Sequence, residues 1–278
     1  GRWKGYGGDT GYQDATLETI TWASGLLGAT KKITVFGTVH APLFHPVIAA
    51  KQMVTADHIG HGRFGLNIVS GWNPVEFGMM GVELREHDDR YAYSQEWIEI
   101  VKRIWAEDEP FDYDGKIFKL KGVLGKPKPY WASRPILVSA GNSPTGREFA
   151  AGNADCLFTS IPKLEDLKPK IDGFRAAAPP GQLRNIFASC HLMVRKTAKE
   201  AQDYHHYIVH EKGDWEAAAY AAVPAAQSAD HAGKNFVRRF LDLLFHRSAP
   251  STVFDGAGET PAPIVARASL KKQLPLPL

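Results

Sequence analysis

Apolar residues recur along this chain at two spacings, and their alternation predicts the elements. Residues 15–29 carry Leu17, Ile20 and Leu27 at helical spacing, with Trp22 and Leu26 alongside. KKITVFGTV (31–39) reads as a buried strand. After His45-Pro46, residues 46–59 read as a helix with Val47, Ala50 and Val54 inward. RFGLNIVSG (63–71) is the next strand, and a long loop rich in Gly, Asn and Pro follows it. Residues 87–106 give the strongest helix, with Trp97, Ile100, Val101, Ile104 and Trp105 on one face. FDYDGKIFKLKG (111–122) breaks the rhythm and predicts a small hairpin around Asp114-Gly115. Strands over 134–141, 155–160 and 185–194 then alternate with helices over 144–152, 163–177 and 197–210.

Five strands, each followed by a helix, imply an α/β protein with a parallel sheet. Two architectures fit: an open doubly wound sheet and a closed barrel. No Gly-x-Gly-x-x-Gly follows the first strand, which weakens the dinucleotide-binding version. Several strands end in polar or glycine-rich text (Thr38-Val39-His40, Ser70-Gly71-Trp72-Asn73, Ala140-Gly141-Asn142-Ser143), as a barrel with its chemistry at the strand ends would require. The pattern fails after about residue 211. Residues 217–232 are Ala-rich with Pro224, 236–246 read as one short helix, and 248–278 read as a disordered Pro/Ala/Gly tail. The expected organisation is a barrel core over 1–210 and a divergent C-terminal segment over 211–278.

Composition narrows the picture. The 278 residues suffice for one large α/β barrel or two small domains. The charge of +3, from 33 basic against 30 acidic residues, is too weak to suggest nucleic acid and is compatible with a phosphate-bearing cofactor. Cys156 and Cys190 form no metal-ligand or disulfide pattern, which suggests a reducing, cytoplasmic setting. No apolar stretch approaches the roughly 20 residues that span a bilayer. His206 and His210 lack the neighbouring acidic helix motif of a metal site, and no nucleophile elbow or P-loop appears. The chain does not begin with Met, so it reads as processed or as a fragment.

The candidate chemistry lies at the strand ends. Thr38 alternates with Phe36 and His40 on one strand face; a packed core Thr and a pocket-lining Thr fit that position equally. Asn67 is a polar residue in an apolar strand, either bonded to backbone or presenting a neutral amide to a ligand. Arg90 and Tyr91 bring donors to the start of the strongest helix, suited to ribityl or phosphate oxygens, or else form a surface Arg over a packed Tyr. Asp88 and Asp89 could cap that helix or neutralise Arg90. Gly141 and Ser143 sit in a strand-to-helix turn, where free N–H groups could receive an anion. Trp72 and His40 are candidates for a substrate pocket wall, with core packing as the plainer reading. Glu76 reads as a loop acid.

Together RWKGYGG (2–8), ITVFGTVHAPLFHPVIAAK (33–51), DHIGHGRFGLNIVSGWNPVEF (57–77), the run at 87–105, FDYDGKIFKLKG, KPKP (126–129) and LVSAGNSPTGREFA (137–150) resemble the bacterial luciferase-like flavin monooxygenases. Among these, the two-component enzymes acting on alkanesulfonates, dimethylsulfone and pyrimidine rings match best. The resemblance implies a (β/α)8 TIM barrel, here incomplete, with strands three to seven recognisable. It implies reduced FMN and O2 as reactants, a separate NAD(P)H:flavin reductase as supplier, a small organic substrate and a homo-oligomer. It places Asn67 and Thr38 against the flavin ring, Glu76 on FMN, Gly141-Asn142-Ser143 at the phosphate and Arg2 near a flavin-contacting strand end. A deazaflavin (F420)-dependent oxidoreductase of the same superfamily and a non-catalytic flavin-binding fragment are the alternatives.

Overall fold

Helix α1 (Thr19–Ala29) begins where the Glu18 carboxylate accepts hydrogen bonds from the amides of Ile20 (3.1 Å) and Thr21 (2.7 Å). In the computed structural model, residues 16–131, 134–141, 143–160, 167–181, 185–189, 193–215 and 217–218 are described. Arg2 with its RWKGYGG segment, Asn142, residues 163–166 of the helix expected over 163–177, Cys190 with residues 191–192 of the strand expected over 185–194, nearly all of 217–232, the helix expected over 236–246 and the tail lie outside the described residues, while 193–194 are described and are not in a strand. The described residues fall into two units, one holding 16–189 with 214–218 and the other 193–213.

The first unit is built on one parallel sheet. Its strands are β1 (Val35–His40), β2 (Phe64–Val69), β5 (Ile136–Ser139), β6 (Cys156–Ser160) and β7 (Asn185–Ser189), in the order β1-β2-β5-β6-β7. β3 (Phe111–Asp114) and β4 (Lys119–Val123) form a separate antiparallel hairpin. Each new strand adds on the same side of the last one. A doubly wound sheet reverses direction at a switch point, and a barrel does not. Among the described residues β1 does not pair with β7, so the sheet stays open.

The sheet's two faces differ. Phe64, Leu66, Ile68 and Leu137 point into a core with Ile20 and Leu27 of α1, Met53 and Val54 of α2 (Pro46–Ile59), and Trp97, Ile100 and Val101 of α4 (His87–Ala106). Leu157 of β6 meets Phe174 of α6 (Leu167–Ala177) and Ala150 of α5 (Pro144–Asn153) in a second cluster. Alternation sends Phe36, Thr38 and His40 of β1, Gly65 and Asn67 of β2, and Phe158 of β6 to the opposite face. Phe36 lies flat on Gly65, where any Cβ would stand 2.3 Å from its ring. On the free side of β1, the Thr19 hydroxyl accepts from the Thr38 amide (2.8 Å) and donates to the Thr38 carbonyl (2.9 Å), which satisfies both groups.

The structure corrects several expectations. The strand expected over 31–39 begins at Val35, and it is not buried throughout: Ile33 and Phe36 are exposed. Leu17 precedes α1 and is exposed, as is Trp22, because Ile20, Ala23 and Leu27 take the inner stripe. The long loop after β2 holds a helix, α3 (Pro74–Met79), started by Pro74 and by the Asn73 side chain accepting from the Val75 amide. Neither Asp88 nor Asp89 caps α4, whose N-cap position is Glu86 without a side-chain bond.

In the second unit, α7 (Ala198–His206) is capped by Thr197 and runs into a π turn over Tyr207–Glu211, where one helix over 197–210 was expected. Arg195 stacks on the Tyr204 ring at 3.6 Å.

The hairpin is clasped to α4 by one carboxylate. Glu96 accepts from the amides of Lys116 (2.8 Å), Ile117 (3.0 Å) and Phe118 (3.1 Å). Partial burial pushes its pKa up, but the three amides and nearby Lys119 outweigh this and hold it below the ordinary glutamate range. A lowered folded pKa gives stability that is full above the unfolded value and is lost as pH falls through the folded one. Acidification below about pH 4 should therefore release the turn. Faster hydrogen exchange at residues 116–118 would report it, and Glu96→Gln should show fast exchange already at neutral pH. Equal protection in both proteins across the range would refute the clasp.

Candidate functional site

The sequence candidates gather at the C-terminal ends of three adjacent strands, β1, β2 and β5. Thr38 and Asn67 are cross-strand partners in register. The Asn67 amide nitrogen donates to the Thr38 hydroxyl at 3.2 Å. Its Oδ1 is buried with no hydrogen-bond partner. A buried amide oxygen left bare costs about 1–3 kcal/mol, so the position is suited to a donor from a ligand. His40 continues the same face one layer nearer the strand end and is buried, its ring 6.3 Å from that of Phe77.

The β2 end turns sharply at Gly71, whose φ of +99° is glycine territory. A Cβ there would strike the Phe77 ring at 2.3 Å. The Arg90 guanidinium, buried on the first turn of α4, donates to the Gly71 carbonyl at 2.7 Å. This Arg is neither a surface residue nor free to swing outward. Burial draws its pKa down from the ordinary arginine value. Glu76 was expected on a loop, there either solvated or in contact with a cofactor. It lies in the first turn of α3 and is 1% exposed. Trp72, between Gly71 and α3, is half-buried. Beneath this turn the Ser94 hydroxyl donates to Ser70 at 2.8 Å, a buried pair that sequence reasoning missed.

The third group surrounds the start of α5. Ser143 is the N-cap, its hydroxyl oxygen accepting from the Gly146 amide at 3.0 Å, which leaves its proton available to a neighbour. Gly141 and Gly146 are in close contact: a Cβ on Gly141 would lie 2.2 Å from the Gly146 carbonyl oxygen. A Cβ on Gly146 would lie 2.5 Å from the Tyr91 hydroxyl and 3.0 Å from Ser143 Oγ. The two glycines thus let the end of β5 pack directly on the first turn of α5, and a hydroxyl from α4 and one from α5 converge on Gly146 to border a cradle. The Tyr91 ring is set by Phe149 (5.7 Å) and His87 (5.2 Å). Asp88 accepts from the Thr145 hydroxyl at 2.8 Å, tying the two helix starts together. Hydrogen bonds with His87 and Thr145 lower the Asp88 pKa. Asp88 therefore serves the cradle's walls rather than capping α4. No local sequence signal announces this bond, which spans 57 residues.

The chain is 34% identical over 199 residues to an FMNH(2)-dependent dimethylsulfone monooxygenase of Pseudomonas putida, covering 71% of this chain and 53% of that protein. It is 39% identical over 159 residues to the pyrimidine monooxygenase RutA of Bradyrhizobium sp. (strain BTAi1 / ATCC BAA-1182), covering 56% of this chain and 43% of the relative. The crystal structure of the long-chain alkane monooxygenase LadA superposes with a TM-score of 0.70 at 25% identity, covering 77% of this chain and 55% of that one. The chain spans about half the length of the relatives it matches. The fold is that of the luciferase-like (β/α) barrels, five neighbouring strands of which lie in the described residues. Residues 3–258 match the Luciferase-like monooxygenase family, and the chain belongs to it.

Proposed function

We propose that this chain is the FMN-binding part of a flavin-dependent monooxygenase that oxygenates a small sulfonate-, sulfone- or pyrimidine-like molecule. The observation that carries the reading is the Thr38–Asn67 pair, with its bare buried amide oxygen, on the same strand ends as the two-glycine cradle. The residues fit the cofactor. The cradle offers Ser143, Tyr91 and the first amides of α5 to a phosphate. Asn67 offers a neutral acceptor to a ring N–H without adding charge. When bound, reduced FMN supplies the electrons that activate O2.

The chain's own residues position and shield. Gly141 and Gly146 let backbone approach the phosphate, and Ser143 and Tyr91 donate to its oxygens. Arg90 and Glu76, held at the β2 turn, supply polar groups beside the ribityl path, and Arg2 adds a donor from the N-terminal segment. Thr38 and Asn67 line the ring's reactive edge, while His40 and Trp72 wall the substrate side and keep water out. A separate NAD(P)H:flavin reductase delivers reduced FMN, and the enzyme works in the cytoplasm as a homo-oligomer. Among the described residues no helix is long and apolar enough to cross a membrane.

The test is anaerobic titration with reduced FMN, with oxidised FMN and a reduced deazaflavin as controls, followed by flavin and tryptophan fluorescence. Saturable binding that prefers reduced FMN is expected. Asn67→Ala should slow the reoxidation of bound flavin by O2 about 100-fold. Its thermal midpoint should change little, because removal of the unpartnered buried amide oxygen offsets the loss of the 3.2 Å bond to the Thr38 hydroxyl. Equal reoxidation rates, or preference for the deazaflavin, would defeat the reading.

A further inference from the structure

The face that carries Thr38 and Asn67 changes character across the sheet. In the layer of that pair, register places Val138 beside Asn67, then Cys156, and both are buried. One layer nearer the strand ends stand His40 and Val69, which pair with each other. Ile68 pairs with Ser139 and Ser139 with Leu157, so Phe158 stands at the height of Val69. Phe158 pairs in turn with Phe187. Leu157 and Ile186 turn to the helices, which sends Phe158 and Phe187 to the face of the Thr38–Asn67 pair. They are 43% and 40% exposed, although both lie inside formed strands.

This layer therefore runs from a histidine through a valine to two side-by-side phenylalanines. On β1 and β2 it lies at the strand ends, where parallel barrels place their ligands, and on β6 and β7 it lies at mid-strand. A polar corner facing an apolar wall is the usual build of a small-molecule site.

We propose that Phe158 and Phe187 form the apolar wall of the substrate pocket and select a small organic molecule by its hydrocarbon part. This rests on the flavin reading above, with the flavin at the β1–β2–β5 side. The polar corner is committed to the cofactor, so discrimination among substrates falls to contact area on the wall.

The probe is a series of methyl, butyl and hexyl methyl sulfones, titrated calorimetrically into the full chain with and without reduced FMN. Each added methylene should tighten binding about threefold. Phe158→Ala/Phe187→Ala should flatten that increment while leaving reduced-FMN affinity unchanged. Phe187→Trp, which keeps an apolar residue on the strand, should weaken the hexyl compound more than the dimethyl one. A flat series in the unaltered chain, or the same increment in the alanine variant, would overturn the proposal. A Phe-dependent increment in a chain that fails to bind reduced FMN would instead leave the wall standing and defeat the flavin reading.

Discussion

Gly141→Ala is expected to weaken FMN binding far more than riboflavin binding. The added Cβ would stand 2.2 Å from the Gly146 carbonyl oxygen, 2.4 Å from its carbon and 2.8 Å from its Cα. All three are backbone atoms and cannot rotate away, so the first turn of α5 must move. That movement pulls Ser143 and the α5 amides away from the Tyr91 hydroxyl, and the cradle loses its geometry. FMN affinity should fall at least tenfold, while riboflavin, which has no phosphate, should lose much less. Stability should fall by about 1–3 kcal/mol as the close packing is forced apart. Gly146→Ala is the milder companion, since its nearest obstacle is the end of the Tyr91 side chain. Paired FMN and riboflavin titrations decide the matter. An unchanged affinity ratio in Gly141→Ala would mean that the phosphate lies elsewhere.

The largest loss of stability should come from Trp97→Ala. Trp97 is fully buried in the core between α4 and the sheet, and its indole N–H donates to the Phe44 carbonyl at 2.8 Å. Removing the ring leaves a cavity in this core and strips that carbonyl of its donor. The combined cost is about 3–5 kcal/mol. Urea denaturation should show the midpoint falling with little change in slope. A midpoint within error of the unaltered chain would mean that the helix layer is not packed as described.

Elements with a long period were legible in the sequence. The helix read from Trp97, Ile100, Val101, Ile104 and Trp105 spans His87–Ala106, and Pro46 marks the start of α2, because both are long enough for one face to repeat. The hairpin turned where Asp114-Gly115 said it would. α3 was hidden because its 6 residues, PVEFGM, show no periodicity; only the Asn73-Pro74 start marks it. Glu76 was placed on a loop for the same reason, and it lies in α3 instead. At the site, Thr38 and Asn67 were each nominated, but their hydrogen bond needed the register between two strands. The Asp88–Thr145 and Ser70–Ser94 pairs join residues distant in sequence, where local patterns carry no information.

The strand pairings also set an order of assembly. β1 reaches β2 over 29 residues (Val35↔Phe64), β5 reaches β6 over 18 (Val138↔Cys156) and β6 reaches β7 over 29 (Cys156↔Asn185). β2 reaches β5 only across 71 residues (Gly65↔Ile136), because α3, α4 and the hairpin intervene. Lengthening that loop from 29 to 71 residues costs under about 1 kcal/mol in closure entropy, so the finished sheet is hardly weakened. The effect falls on timing, since distant contacts form after local ones. In pulsed hydrogen exchange during refolding, the amides between β5 and β6 should be protected first, followed by those of the β1–β2 and β6–β7 pairs. The β2–β5 seam, which brings the two-glycine turn beside Asn67, should close last, so that turn and the amide corner meet only when the two halves dock.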